Sequence, residues 1–219
     1  MSADSGSPFL DLSVRQFLDA VASSEPTPGG GAVAAVAAAS AAALVAMVAR
    51  ITEGRDDAAA IAPQAARLRS DADGLCRSLQ DAALEDAESF AEYMAALRMP
   101  RDSDEQRAAR REARRIAARR ATTAPLGVAR DARRLVDMAA ELATLANAHV
   151  VSDVAAAAQL ARAATTAALV TVRVNLPAKP SAADEQFYVD ARAQAAKLAA
   201  NLDEIVGDIQ ASVEKTIDV

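Results

Sequence analysis

From residue 26 to residue 49 the chain runs for 24 residues without a charged side chain. The run opens as Pro-Thr-Pro-Gly-Gly-Gly and continues mostly in alanine, with one Leu (Leu44) and one Met (Met47). Alanine is the strongest helix former and a poor strand former. The stretch after the glycines therefore reads as a helix, from Ala32 to about Thr52. A helix that is small and apolar on every face has no side to give to water and must be surrounded. The run is long enough to cross a bilayer. Its weak apolarity and the lack of Trp or Tyr at its ends favour burial in protein, and no membrane partner is expected. The two prolines and three glycines ahead of it read as a break that cannot sit inside a helix.

The same bias extends along the chain. Alanine supplies 60 of the 219 residues, whereas Gly and Pro number 8 each and aromatics make up 3%. An all-β domain is thereby excluded. A hydrophobic fraction of 52% and a net charge of only −6 argue against disorder. At roughly 100–200 residues per domain, the chain reads as a polar leader over 1–12 and a single helical domain over 13–219. One cysteine, Cys76, cannot form an internal disulfide. With one histidine, His149, it makes a structural zinc site unexpected. No basic segment precedes an apolar run at the start, so a soluble, cytoplasmic protein is expected.

Helix signals divide the remainder. Ser13-Val14-Arg15-Gln16 fits a capping box, and Val14, Phe17, Leu18 and Val21 recur at helical spacing, which predicts a first helix over about 13–23. Gly54 closes the alanine helix. Pro63 suits the first turn of a third helix, over about 62–98, ended by Met99-Pro100. Ser103-Asp104-Glu105-Gln106 is a second capping box, opening a fourth helix to about Ala146 with a kink expected at Pro125. Ser152-Asp153 reads as the cap of a fifth helix that ends at Asn175, ahead of Pro177. Ser181-Ala182-Ala183-Asp184 can cap a sixth, to about Thr216. Long helices and short loops predict an all-α, up-and-down bundle of about six long helices around the alanine-rich one.

Several of these segments, in this order, resemble a known family. They are Phe17-Leu18-Asp19, the run PTPGGGAVAA from Pro26, Met47-Val48, and Ile51-Thr52-Glu53-Gly54-Arg55. Asp86, Phe90, Leu97-Arg98-Met99-Pro100, Asn147, Ser152-Asp153 and Asn175-Leu176 follow. The pattern is similar to that of the cyclodeaminase/cyclohydrolase family of folate one-carbon metabolism, over about residues 13–200. The PTPGGG motif is fairly specific and the others are weaker singly. Ala32, Ala58, Ala146 and Thr171 stand where the family usually has Ser, an aromatic, Gly and Asn, and Arg55 where it has Lys. The resemblance implies a tetrahydrofolate derivative as substrate, no metal or other cofactor, and a homodimer. The implied reaction is hydrolysis of 5,10-methenyltetrahydrofolate to 10-formyltetrahydrofolate. The alternatives are deaminating ring closure of formiminotetrahydrofolate, and folate binding without catalysis.

Both reactions pass through a tetrahedral carbon between two nitrogens. Both need proton transfer and a negative environment for a delocalised cation. A positioned carboxylate meets both needs and is worth about 10²–10⁴-fold as a general base. Asp153 is the first candidate and Asp86 the second. By itself, Asp153 also reads as a helix cap, and Asp86 as a solvated position beside Glu85 and Glu88. Pro28, Gly29, Gly30 and Gly31 lead into a helix start whose N–H groups suit an anion or a carbonyl. Arg55 can pair with a glutamate tail. Asn147, Ser152 and Asn175 offer the donors and acceptors a pterin edge needs, or serve as caps.

Charge is uneven. Residues 98–134 hold 12 of the 21 arginines and five acids, a local excess of +7 in an acidic chain. Arg107, Arg111, Arg114 and Arg115 can share one helix face. This reads as a solvated face, or as a patch that steers an anionic tail. A nucleic-acid partner is not expected, because no aromatics interleave with the arginines.

Overall fold

The computed structural model describes residues 9–56 and 58–217. Among them are seven α-helices and no strand: α1 (Val14–Val21), α2 (Gly30–Glu53), α3 (Ala62–Arg98), α4 (Asp104–Ala143), α5 (Val151–Asn175), α6 (Glu185–Ala199) and α7 (Leu202–Ile217). A short 3-10 turn, Phe9–Asp11, precedes α1. The first eight residues of the expected leader lie outside the described residues.

Alanine density positions the core. Helix α2 packs against α3, α4 and α5, and its Ala35, Ala38, Ala42, Val45 and Ala49 are fully buried. With methyl groups as its commonest side chains, α2 lets its neighbours approach closely. Leu68 and Leu79 of α3 and Leu135 and Leu142 of α4 fill the remaining space. Each such leucine contributes about 1.5–3 kcal/mol by leaving water. The enclosure is not complete. Ser40, Ala43 and Arg50 are exposed and Leu44 and Met47 half-buried, so one stripe of α2 faces outward. The alanine helix is central but, within one chain, not surrounded on every side.

Both capping boxes form. The Gln16 N–H donates to Ser13 Oγ at 3.3 Å and the Ser13 N–H to Gln16 Oε1 at 3.0 Å. Ser103 and Gln106 repeat the exchange at 3.2 and 3.3 Å. Helix α4 continues through Pro125.

Three boundaries differ from the sequence reading. Gly30 and Gly31 are the first two residues of α2, with Gly29 as its N-cap. The break therefore ends earlier, and two of the three glycines do sit in a helix. The turn before them contains a cis Thr27–Pro28 peptide, with Pro28 buried. Helix α5 starts at Val151, so Ser152 and Asp153 lie within its first turn rather than capping it. Asn147 organises that entry instead, its Oδ1 accepting the His149 N–H at 3.0 Å. The expected last helix is two, α6 and α7, separated where Asn201 adopts φ 55°. Asparagine is one of the few non-glycine residues that visits the left-handed region readily.

Candidate active site

The site grows from the missing side chain of Gly31. A Cβ placed there would fall 2.1 Å from Oδ1 of Asp86 and 2.7 Å from Oδ2. Only a glycine lets that carboxylate lie against the first turn of α2. The Ala32 N–H donates to it. The anion held at this helix start is thus the protein's own. Asp86 is half-buried. Burial pushes its carboxyl above the usual carboxylate range, and the Ala32 N–H offsets this only in part. It makes no ion pair among the described residues. A carboxylate raised in this way is better matched to taking a proton near neutral pH.

In front of Asp86 lies a cavity of about 670 Å³, within the approximate 300–1,000 Å³ typical of small-molecule sites. Helix α3 contributes Asp86, Phe90 and Tyr93, spaced at i, i+4 and i+7 on one face. The glycine turn forms a second wall, Ala121 and Pro125 of α4 a third, and Asn175 and Tyr188 complete it. Three of the chain's six aromatic residues line this one space. Ser89 also lines it, with its Oγ sealed from solvent and without a partner.

Pro125 explains how Asn175 is held. Proline has no N–H, so the carbonyl four residues earlier, Ala121 O, loses its helical donor. Asn175 Nδ2 takes that place at 2.6 Å. The amide is thereby fixed at the end of α5, and its oxygen has no protein partner among the described residues.

A second cavity, of about 490 Å³, adjoins the first and shares Tyr93, Ala118, Pro177 and Tyr188 with it. Arg111, Arg114 and Lys179 line it and have no ion pair among the described residues. Arg115 is already tied, to Glu112 at 2.6 Å and Asp184 at 2.9 Å. Asp184 is 4% exposed. Burial works against its charge, but the Ser181 hydroxyl, Arg115 and Arg119 outweigh it and hold the carboxyl below its usual range. The arginine-rich face of α4 therefore borders a groove that continues the main cavity.

Residues 13–197 match the model of the formiminotransferase-cyclodeaminase family. The chain belongs to this family. It is 36% identical over 162 residues to a methenyltetrahydrofolate cyclohydrolase of Methylorubrum extorquens, covering 74% of this chain and 78% of that protein. It is 31% identical over 167 residues to the formimidoyltransferase-cyclodeaminase of Rattus norvegicus, covering 76% of this chain and 31% of the longer rat protein. The fold is similar to the crystal structure of formiminotetrahydrofolate cyclodeaminase from Thermotoga maritima, with a TM-score of 0.81 at 28% identity over 94% of this chain and 98% of that one. The all-α bundle expected from the sequence is the fold of this family.

Within this formiminotransferase-cyclodeaminase fold, the residues singled out by sequence divide into two groups. Gly29, Gly30, Gly31, Asp86 and Asn175 line the cavity, and Pro28 is buried beside them. Asp153, Ser152, Asn147 and Arg55 do not line it. The reason is helix direction. The cavity takes the first turn of α2 and the last of α5, so these packed helices run antiparallel. Asp153 lies 22 residues before Asn175 on α5, about 33 Å away at roughly 1.5 Å per residue. Arg55 follows the far end of α2. Of the two candidate carboxylates, the second, Asp86, faces the cavity, while Asp153 sits half-buried where it compensates the α5 dipole. Of the positions that depart from the family pattern, Thr171 lines the cavity and Ala32 is buried beneath Asp86. The sequence reading missed Tyr93 and Tyr188 as site residues. A signal for the first was present: in a chain with six aromatics, two of them share the Asp86 face of α3.

Proposed function

We propose that this chain is a folate one-carbon enzyme that hydrolyses 5,10-methenyltetrahydrofolate to 10-formyltetrahydrofolate. The observation that carries this reading is Asp86: a carboxylate in a cavity of suitable size, raised in proton affinity, with no cation paired to it. The methenyl carbon belongs to a cationic amidinium bridging N5 and N10, which a carboxylate of this kind complements. A folate is a pteridine joined through an aminobenzoyl amide to a glutamate. Phe90 and Tyr93 offer flat faces for its rings. The Asn175 oxygen and the Gly30 and Gly31 N–H groups offer complementary hydrogen bonding for the pteridine edge. The groove of Arg111, Arg114 and Lys179 suits the glutamate carboxylates.

In the reaction, water bonds to the methenyl carbon as Asp86 accepts one of its protons. The tetrahedral carbon then carries a hydroxyl between N5 and N10. Its bond to N5 breaks as Asp86 returns the proton to N5. The hydroxyl proton leaves to solvent, and the formyl group stays on N10. The chemistry as drawn uses no metal and no redox cofactor. Loss of methenyl absorbance on adding the protein, compared with the uncatalysed rate, tests it. Acceleration by the natural protein, reduced about 10²–10⁴-fold in Asp86→Asn, is the expected result, and no acceleration by either defeats the reading.

A second reading is formiminotetrahydrofolate cyclodeamination, supported by the names of the rat and Thermotoga relatives. There N10 attacks the formimino carbon and ammonia leaves, again through a tetrahedral carbon beside Asp86. Ammonia release from formiminotetrahydrofolate decides between the two, and folate binding without either turnover marks a non-catalytic homologue. The outward stripe of α2 supports the further reading of a homodimer, which sedimentation at micromolar concentration checks.

A further inference from the structure

Tyr188 stands in the wall that the two cavities share. It is 4% exposed, yet its hydroxyl has no hydrogen-bond partner among the described residues. Thr52 Oγ1 and Ser89 Oγ are also without partners, but they are sealed from solvent. The Tyr188 oxygen is not among these sealed atoms, and the residue lines both cavities. The ring itself is held firmly. Its backbone N–H donates to Asp184 O at 3.1 Å, and the Phe187 ring meets it edge-on at 4.9 Å. The Arg119 guanidinium lies 4.3 Å over Phe187, and Arg115 anchors Asp184 at 2.9 Å. Buried hydroxyls are nearly always satisfied. Here the hydroxyl of a fixed ring has no partner within the described residues, on a residue that lines both a ring-sized cavity and a cationic groove. Burial, reinforced by the Asp184 charge, pushes the phenol up, so it keeps its proton at neutral pH.

Resting on the folate reading above, we propose that Tyr188 is a substrate-binding residue whose hydroxyl donates a hydrogen bond to the aminobenzoyl amide carbonyl where the ligand passes from the cavity into the groove. That carbonyl lies between the pteridine, at Asp86, and the glutamate, at Arg111 and Arg114. Tyr93, the other hydroxyl shared by the two cavities, also lacks a partner among the described residues but is only half-buried, whereas Tyr188 is held in the wall.

The test is Tyr188→Phe in the full chain, which keeps the ring and removes only the hydroxyl. KM for methenyltetrahydrofolate should rise about three- to tenfold with kcat within about twofold. The melting temperature of the unliganded protein should be unchanged or slightly higher, because no bond inside the fold is lost. Binding of 6-methyltetrahydropterin, which lacks the aminobenzoyl arm, should be the same for both proteins by calorimetry. An unchanged KM overturns the proposal, as does a lowered melting temperature, which would place the hydroxyl's partner inside the fold. Equal weakening toward the pterin alone overturns the carbonyl assignment. If the natural protein binds no folate, the functional reading falls as well. If it binds folate and Tyr188→Phe binds it equally, only this inference falls.

Discussion

Two carboxylates flank the cavity system, and they are set up in opposite ways. On the α2–α3 side, Asp86 receives one backbone N–H and no cation, and burial raises it. On the α4–α6 side, Asp184 is more deeply buried, yet one hydroxyl and two arginines hold it low. Burial alone therefore says little about what an acid does. An acid whose charge is fully answered within the protein is fixed in one protonation state and acts as a strut. An acid left partly unanswered can change its state, and a cationic substrate can supply what is missing.

The largest expected effect separates the two acids directly. Asp86→Asn should lower turnover by about 10²–10⁴-fold without lowering the melting temperature. The sign follows from the raised carboxyl: the folded chain binds this proton more tightly than the unfolded one. Its contribution to stability is complete below the ordinary carboxylate pKa and fades as pH rises through the higher folded value. Turnover runs the other way, rising with pH through that same window as the base ionises. Asp86→Asn should abolish both trends, as pH titrations of rate and melting temperature would show.

Gly31→Ala sharpens the comparison, because it moves Asp86 without removing it. The new methyl group meets a mobile carboxylate rather than backbone, so the fold should survive at a cost of about 1–3 kcal/mol. Turnover should fall about 10²-fold through the displaced base. Denaturant midpoints and single-turnover rates measure the two effects separately. Asp184→Asn should do the reverse, lowering the melting temperature at neutral pH with kcat nearly retained. Because Asp184 is held low, the stability it gives is present above an ordinary carboxylate pKa of about 3.9 and is lost as pH falls through its lower folded value. The two melting curves should converge there. The smallest effect is expected at the groove. Arg111→Glu with Arg114→Glu should raise KM by about two- to fivefold, and added salt should narrow the gap.

Much of this architecture is legible in local signals. Both capping boxes, the Pro63 start and the Met99-Pro100 stop of α3 follow from contacts a few residues apart, and they form as read. The alanine helix is central because small side chains permit nothing wider. The site was legible only in part. Spacing puts Asp86, Phe90 and Tyr93 on one face, and the glycine turn marks a helix start. Which end of α5 meets that start depends on how the helices run against each other, which no local signal around Asp153 or Asp86 carries. The break at Asn201 hid in a run of good helix formers, since a single left-handed residue leaves almost no compositional trace. Tyr188 reaches the cavity from a helix 95 residues beyond Tyr93, a distance no periodicity bridges.

Pro125 ties these threads together. In most helices the carbonyls are occupied along their own axis and have nothing to offer sideways. Here one imino acid opens a rung of α4, and a side chain from α5 hooks onto it at the cavity wall. Two walls of the site are thus latched crosswise at one point. Any motion that admits or releases a ligand by parting α4 from α5 must first unhook Asn175.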